Sequence, residues 1–153
     1  MNKEGVSFVK VSDDVYGGGQ PARHDLEQAK AMGIKTIINL RDPNEKGFDL
    51  AEQNHAAELG LRYVSVVVDG PEGLTEASLE AFVEIAAQDN HLPFMVHCRT
   101  GERAGAMLSL FFRCHRGLGV DESLALGQKV GLDRLRSLAQ ERMDEFVPRP
   151  NGV

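Results

Sequence analysis

Three short apolar runs, each closed by a polar loop and separated by helix-length stretches, restrict this chain more than any other feature. They are IKTIINL (34–40), RYVSVVV (62–68) and FMVH (94–97). Rich in β-branched and large apolar residues, and too short for ordinary helices, they read as buried strands. Ahead of the first, RHDLEQAKAMG sets Leu26, Ala29 and Met32 at helical spacing and stops at Gly33. Between the first and second, GFDLAEQNHAAELG (47–60) reads as another helix. A third begins at Thr75, a suitable N-cap, with Glu76 in its first turn and Leu79, Phe82, Val83 and Ala86 as its apolar stripe. Residues 103–116 are apolar nearly all round, as a helix enclosed on every side would be. Two further helices, at about 121–129 and 132–145, follow before a Pro-containing tail.

Strands alternating with helices predict an α/β architecture, with a central, mostly parallel sheet flanked by helices on both faces. The opening VSFVKVSDDVYGGG adds a hairpin turning at Ser12-Asp13-Asp14. A chain of 153 residues suits one domain, placed at 1–147 with 148–153 as the tail. Ligands on such sheets gather beyond the carboxyl ends of the strands. Three loops meet there: RDPNE after Leu40, DGPEG after Val68 and CRTGER after His97.

The net charge of −6 argues against broad nucleic-acid binding, so an anion site must be a local concentration of positive charge. HCRTGER supplies one. Cys98 lies just ahead of a helix start, where unpaired N–H groups and the helix dipole favour negative charge, and Arg99 and Arg103 add to it. A reactive thiolate is expected there. Gly101 allows the backbone N–H groups of Arg99, Thr100, Gly101 and Glu102 to turn inward as a cradle. Arg103 offers a planar fork for two oxygens of one phosphate. Cys98 and Cys114 are too far apart along a helix to bridge, since residues 103–114 rise about 16 Å and bridged Cα atoms sit within about 7 Å. The five histidines lack metal spacing, and no lysine and hydroxyl follow GGGQ, so neither a metal nor a nucleotide cofactor is expected. No segment has the length and apolarity of a signal peptide or membrane span, which leads to the expectation of a cytoplasmic protein.

HCRTGER resembles the signature loop of cysteine-dependent phosphatases of the tyrosine and dual-specificity type. YGGGQP, GIKTIINLRDPNE, GLRYVSVVVD and GLGVDESLALGQKVGLDRL are similar to a bacterial family of small phosphatase-like domains, also found appended to β-lactamase-like hydrolases. The resemblance covers nearly the whole chain. It implies a phosphotyrosine-phosphatase-like fold and hydrolysis of a phosphorylated protein or small molecule. It further implies Cys98 as the nucleophile that forms a phosphocysteine, Arg103 as the clamp on the equatorial oxygens and Asp69 as general acid, with Glu72 in reserve.

Two departures keep other readings open. Four residues separate Cys98 from Arg103, where most cysteine phosphatases have five, and Ala104 stands where they carry Ser or Thr. The shorter spacing resembles single-domain rhodaneses, which cradle a persulfide. The alternatives are therefore a sulfurtransferase with a persulfide on Cys98 and a non-catalytic anion-binding module. Phosphatase leads because His97 precedes the cysteine, the N-terminal half matches the phosphatase family, and Asp69 supplies a proton donor that sulfur transfer does not need.

Nearby residues have paired readings. His97 either steadies the thiolate or is a core histidine, and Asp69 either donates a proton or forms an Asp-Gly turn. Asn39 is expected to brace the loop backbone from the neighbouring strand. Arg41 either binds substrate or is a surface charge. Glu102 either points outward to pair with Arg41 or Arg99, or handles water.

Overall fold

The computed structural model describes residues 7–146, so the tail placed at 148–153 lies outside the described residues. Five strands form one sheet: β1 (Phe8–Ser12), β2 (Val15–Gly18), β3 (Thr36–Asn39), β4 (Arg62–Ser65) and β5 (Phe94–His97), in the order β1-β2-β5-β3-β4. Only the β1–β2 hairpin is antiparallel; β5 pairs in parallel with β2 and β3, and β3 with β4. Six α-helices accompany them among the described residues: α1 (Arg23–Ala31), α2 (Glu52–Glu58), α3 (Glu76–Ala86), α4 (Glu102–Leu110), α5 (Val120–Val130) and α6 (Arg136–Phe146). This is the α/β class that the alternation predicts. No helix among the described residues is long and apolar enough to cross a membrane.

The twofold period of the strands divides the core. Val15, Ile38, Phe94 and Val96 join the larger cluster with residues of α3 to α6, while Tyr16, Ile37 and Met95 join a smaller one with Leu26, Ala29 and Ala56 from α1 and α2. Phe82, Phe94 and Phe111 meet edge-on at the centre of the larger cluster, with centroids 5.6, 5.5 and 6.1 Å apart. Helix α4 is buried from Ala104 to Leu110. It packs so closely on α5 that a Cβ on Gly105 would lie 2.5 Å from the carbonyl oxygen of Gly127. Thr75 caps α3 as expected: its hydroxyl accepts the Ser78 N–H at 3.1 Å, and the Ser78 hydroxyl accepts the Thr75 N–H at 3.0 Å.

Several elements are shorter than their sequence patterns because tertiary hydrogen bonds claim the flanking backbone. The helix expected over 47–60 starts only at Glu52, since the preceding loop folds back and gives the Lys46 and Gly47 carbonyls to the Arg41 guanidinium. Strand β4 ends at Ser65, although Val66 and Val68 still donate to the carbonyls of Asn39 and Leu40. The last helix starts at Arg136 because the N–H groups of Asp133 and Leu135 go to the Glu102 carboxylate. Helix α4 runs to Leu110, and the chain then widens into a π-helical turn at Phe111–His115. Cys114 on that turn is a free thiol, as is Cys98. Burial pushes the Cys114 thiol up, as befits a packing residue.

Candidate active site

Strand β5 ends at His97, so Cys98 is the first residue beyond the sheet, and α4 begins four residues later at Glu102. The loop between them is drawn tight around the sulfur. Gly101 donates its N–H to Cys98 Sγ at 3.1 Å and Ala104 does so at 3.5 Å. Both donors belong to the N-terminus of α4, where backbone N–H groups lack intrahelical partners, and they favour negative charge on sulfur. Gly101 is required for this shape. Its φ is 97°, and a Cβ there would fall 2.2 Å from the carbonyl oxygen of Val130. The GGGQ segment braces the loop from the other side, with the Gln20 N–H on the Arg99 carbonyl at 3.0 Å.

Arg103 reaches from the first turn of α4 across to two neighbouring loops. Its Nη1 donates to Glu45 Oε1 at 2.9 Å and to the Val68 carbonyl at 2.9 Å; its Nη2 donates to Glu45 Oε2 at 3.1 Å. A guanidinium has five N–H groups, and these contacts use three. The Nε–H and the second Nη2–H, on one edge of the group, have no oxygen partner among the described residues, and the Cys98 sulfur lies near enough to Arg103 to interact with it. Glu45 thus holds the end of the fork and leaves a side edge for two oxygens of an anion. Hydrogen bonding to Glu45, against the cost of burial and helped by the nearby Cys98, holds Arg103 above its ordinary range. Glu45 also accepts from Arg41 Nε at 2.7 Å. Its bond to Arg103, opposed by burial and reinforced by Arg41, brings its carboxyl down to about 2.

That depression has a consequence for acid stability. Glu45 stabilises the folded chain fully above about pH 4.5, its reference value, and loses that contribution as pH falls toward about 2. The gap in urea midpoint between the wild type and Glu45→Gln should shrink by more than half from about pH 6 to about pH 3. A constant gap would mean that the carboxylate gains nothing from its arginines.

Behind the loop lies a polar chain inside the smaller core. His97 and Glu52 are fully buried and joined through Nε2 and Oε2. The other ring nitrogen, Nδ1, faces the Cys98 carbonyl at 3.1 Å. A carbonyl only accepts, so Nδ1 carries a proton. A second proton on the Nε2···Oε2 axis satisfies both partners, since a carboxylate facing a bare ring nitrogen would leave two acceptors opposed. Gln20 continues the chain, donating to Glu52 Oε1 at 2.8 Å and accepting from Arg41 Nη1 at 2.7 Å. A connected path therefore runs from the Cys98 backbone through His97, Glu52, Gln20, Arg41 and Glu45 to Arg103.

Several expected roles are revised by this geometry. Arg41 is neither a surface charge nor free to bind substrate: it is 2% exposed and donates four N–H groups to Glu45, Gln20, Lys46 and Gly47. Asn39 braces strand ends rather than the cysteine loop, accepting from the Arg41 N–H and donating to the Tyr63 hydroxyl. Glu102 pairs with neither Arg41 nor Arg99 and turns away from the cradle to cap the backbone at Asp133 and Leu135. Burial works to raise Glu102, but those backbone donors prevail and hold it low. Arg99 and Thr100 are exposed. Asp69 is exposed and lines a cleft of about 530 Å³ with Arg103, Asp42, Asn44, Glu45 and Gly70; Cys98 is fully buried and outside that lining, so Arg103 is the residue that links the cleft to the cysteine loop. The chain bends at Asp69-Gly70, where Gly70 has φ 101°. Glu72 is not part of that lining.

Glu45, Glu52 and Gln20 escape a reading of the sequence. Glu52 leaves one trace, a carboxylate on the same helical face as the buried Ala56.

The five-stranded sheet, with a cysteine loop at a strand end and an arginine from the next helix, has the fold of the phosphotyrosine-phosphatase-like class of α/β domains. The core catalytic domain of the PP-IP phosphatase SIW14 from S. cerevisiae shares the fold, with a TM-score of 0.78 at 17% identity over 96% of this chain and 89% of that one. A structure from Neisseria meningitidis, described as a candidate phosphatase, aligns with a TM-score of 0.74 at 27% identity, covering 90% of this chain and 96% of that one. Residues 2–145 match the family described as DSP-PTPase phosphatase fused to NAD+ kinase, and the chain belongs to that family. A beta-lactamase hydrolase-like protein of Xylella fastidiosa (strain 9a5c) is 34% identical over 96% of this chain, which spans 35% of that protein's length.

Proposed function

We propose that the domain hydrolyses phosphomonoesters through a phosphocysteine on Cys98, on a phosphorylated protein or a small phosphorylated molecule. The observation that carries this reading is the pair of N–H donors on Cys98 Sγ beside an arginine whose side edge is left open. The thiolate attacks phosphorus, the bond from phosphorus to the ester oxygen breaks, and the Asp69 carboxyl gives its proton to the departing oxygen. The Asp69 carboxylate then takes a proton from water as water attacks phosphorus. The S–P bond breaks, returning the thiolate and releasing inorganic phosphate. Arg103 holds two equatorial oxygens throughout, with Glu45 fixing its orientation. A thiolate nucleophile needs no metal. We place the reaction in the cytoplasm, where free thiols stay reduced.

A second reading, sulfur transfer through a persulfide on Cys98, draws support from Ala104. Its N–H reaches the sulfur, but its side chain has no hydroxyl to assist sulfur as a leaving group. Paired assays decide. Hydrolysis of aryl phosphates, blocked by vanadate, supports the phosphatase; no hydrolysis across several phosphate esters overturns it. Sulfur transfer from thiosulfate to cyanide establishes the second reading. Asp69→Asn should lower kcat about a hundredfold for an ester with a poor leaving group and far less for a nitrophenyl ester. An unchanged kcat on the poor leaving group removes Asp69 as the acid.

A further inference from the structure

We propose that the cleft selects phosphomonoesters whose neighbouring groups are cationic and turns away multiply phosphorylated ligands, a preference that rests on the phosphatase reading above. The lining supplies one guanidinium, Arg103, against three carboxylates, Asp42, Glu45 and Asp69. Glu45 is neutralised by its bonds to Arg103 and Arg41. Asp42 and Asp69 have no cation within salt-bridge distance among the described residues. Asp42 Oδ1 accepts only the Asn44 backbone N–H, which leaves its charge in place.

The arithmetic of donors is restrictive. Arg103 keeps one edge free, enough for two oxygens of one phosphoryl group. A second phosphate lying in the cleft would find the Asp42 and Asp69 side chains and no cation in the lining besides Arg103. Lys46 and Arg99 are exposed on adjoining loops and lie outside the lining of the cleft, Arg99 on the side of the cysteine loop. Like charges brought together across a binding surface are strongly disfavoured, and opposite charges at a rim assist docking. A lysine or arginine beside the phosphorylated group would meet the Asp42 carboxylate favourably, and Asp69 as well when its acid proton is off. The acidic chain as a whole, with net charge −6, adds to this bias at long range.

The test uses equilibrium binding, so it does not depend on turnover. The full chain carrying Cys98→Ser is titrated with phosphotyrosyl peptides of equal length flanked by lysine, glutamine or glutamate, with the unphosphorylated lysine peptide alongside. Inositol hexakisphosphate is added as a competitor. The lysine-flanked phosphopeptide should bind at least about tenfold more tightly than the glutamate-flanked one at low ionic strength, and the gap should close in about 0.5 M salt. Asp42→Asn, which keeps an acceptor for the Asn44 N–H, should narrow the gap to about threefold. Inositol hexakisphosphate should fail to displace the lysine-flanked phosphopeptide. Phosphate-dependent binding with equal affinities, or effective competition by inositol hexakisphosphate, overturns this inference alone. Binding that ignores the phosphate overturns the phosphatase reading together with it.

Discussion

Cys98→Ser should lower the turnover of an aryl phosphate by at least about a thousandfold while leaving the thermal midpoint within a few degrees of wild type. The two halves of this expectation have separate origins. Chemically, the reacting species is an anion of sulfur, and a serine hydroxyl at neutral pH gives almost no comparable anion. The N–H groups of Gly101 and Ala104 that point at Sγ can favour negative charge there, but no base among the described residues touches the atom to ionise an alcohol. Structurally, the replacement is close to isosteric, and the same two N–H groups can donate to a hydroxyl oxygen, so no buried polar atom loses its partner. Steady-state kinetics and a thermal melt read the two halves. Mass spectrometry of acid-quenched enzyme should also show a phosphoryl adduct on the wild type and none on the variant. A residual rate within tenfold of wild type would mean that phosphorus is attacked by something other than this sulfur. Loss of both phosphate hydrolysis and thiosulfate sulfur transfer in the same variant would show only that both chemistries run through Cys98, so the wild-type assays must choose between them.

What could be read from the sequence follows the range of each interaction. Strand β5 was legible to the residue, because FMVH is a short apolar run between a proline and a loop, with Phe94 and Val96 in the larger core and Met95 in the smaller. The α/β order and the meeting of three loops at one sheet edge followed from the same local signals. Thr75 was legible because a cap is made within one turn. The misplaced ends were set by side chains outside the element concerned. Glu102 fixes where α6 can start through contacts 31 and 33 residues away, and Arg41 delays α2 by taking carbonyls from its own loop. The same holds for the site. Cys98 and Arg103 announce themselves by spacing within one loop. The pair formed by Arg103 and Glu45 spans 58 residues, and that of His97 and Glu52 spans 45, so nothing in either segment alone reveals the partner. A carboxylate beside the cradle argues against anion binding until its geometry shows that it occupies the end of the guanidinium and spares the edge.

Glu52→Ala should destabilise the chain by about 3–5 kcal/mol, the largest stability effect expected of any single change to this network. Glu52 is fully buried beneath the nucleophile loop, and its two oxygens serve different partners, His97 Nε2 and Gln20 Nε2. Truncation strands both at once. The imidazole loses the group that shares its second proton, and Gln20 loses the acceptor that aims its carbonyl oxygen at Arg41. Damage should therefore travel in two directions, toward the Cys98 carbonyl held by His97 Nδ1 and toward Glu45 held by Arg41. Glu52→Gln separates loss of connectivity from loss of charge. A carboxamide can donate to Nε2 of a neutral imidazole while its oxygen still accepts from Gln20, so every bond survives without the shared proton. Its cost should stay within about 1 kcal/mol. Urea unfolding compares the three proteins, and kcat for an aryl phosphate, measured where each is folded, reports on the loop. If Glu52→Ala costs under about 1 kcal/mol, or if Glu52→Gln is as damaging as the truncation, then connectivity through Glu52 does not hold the loop. In that event the fold alone sets the position of Cys98, and the polar chain behind it is incidental to the site.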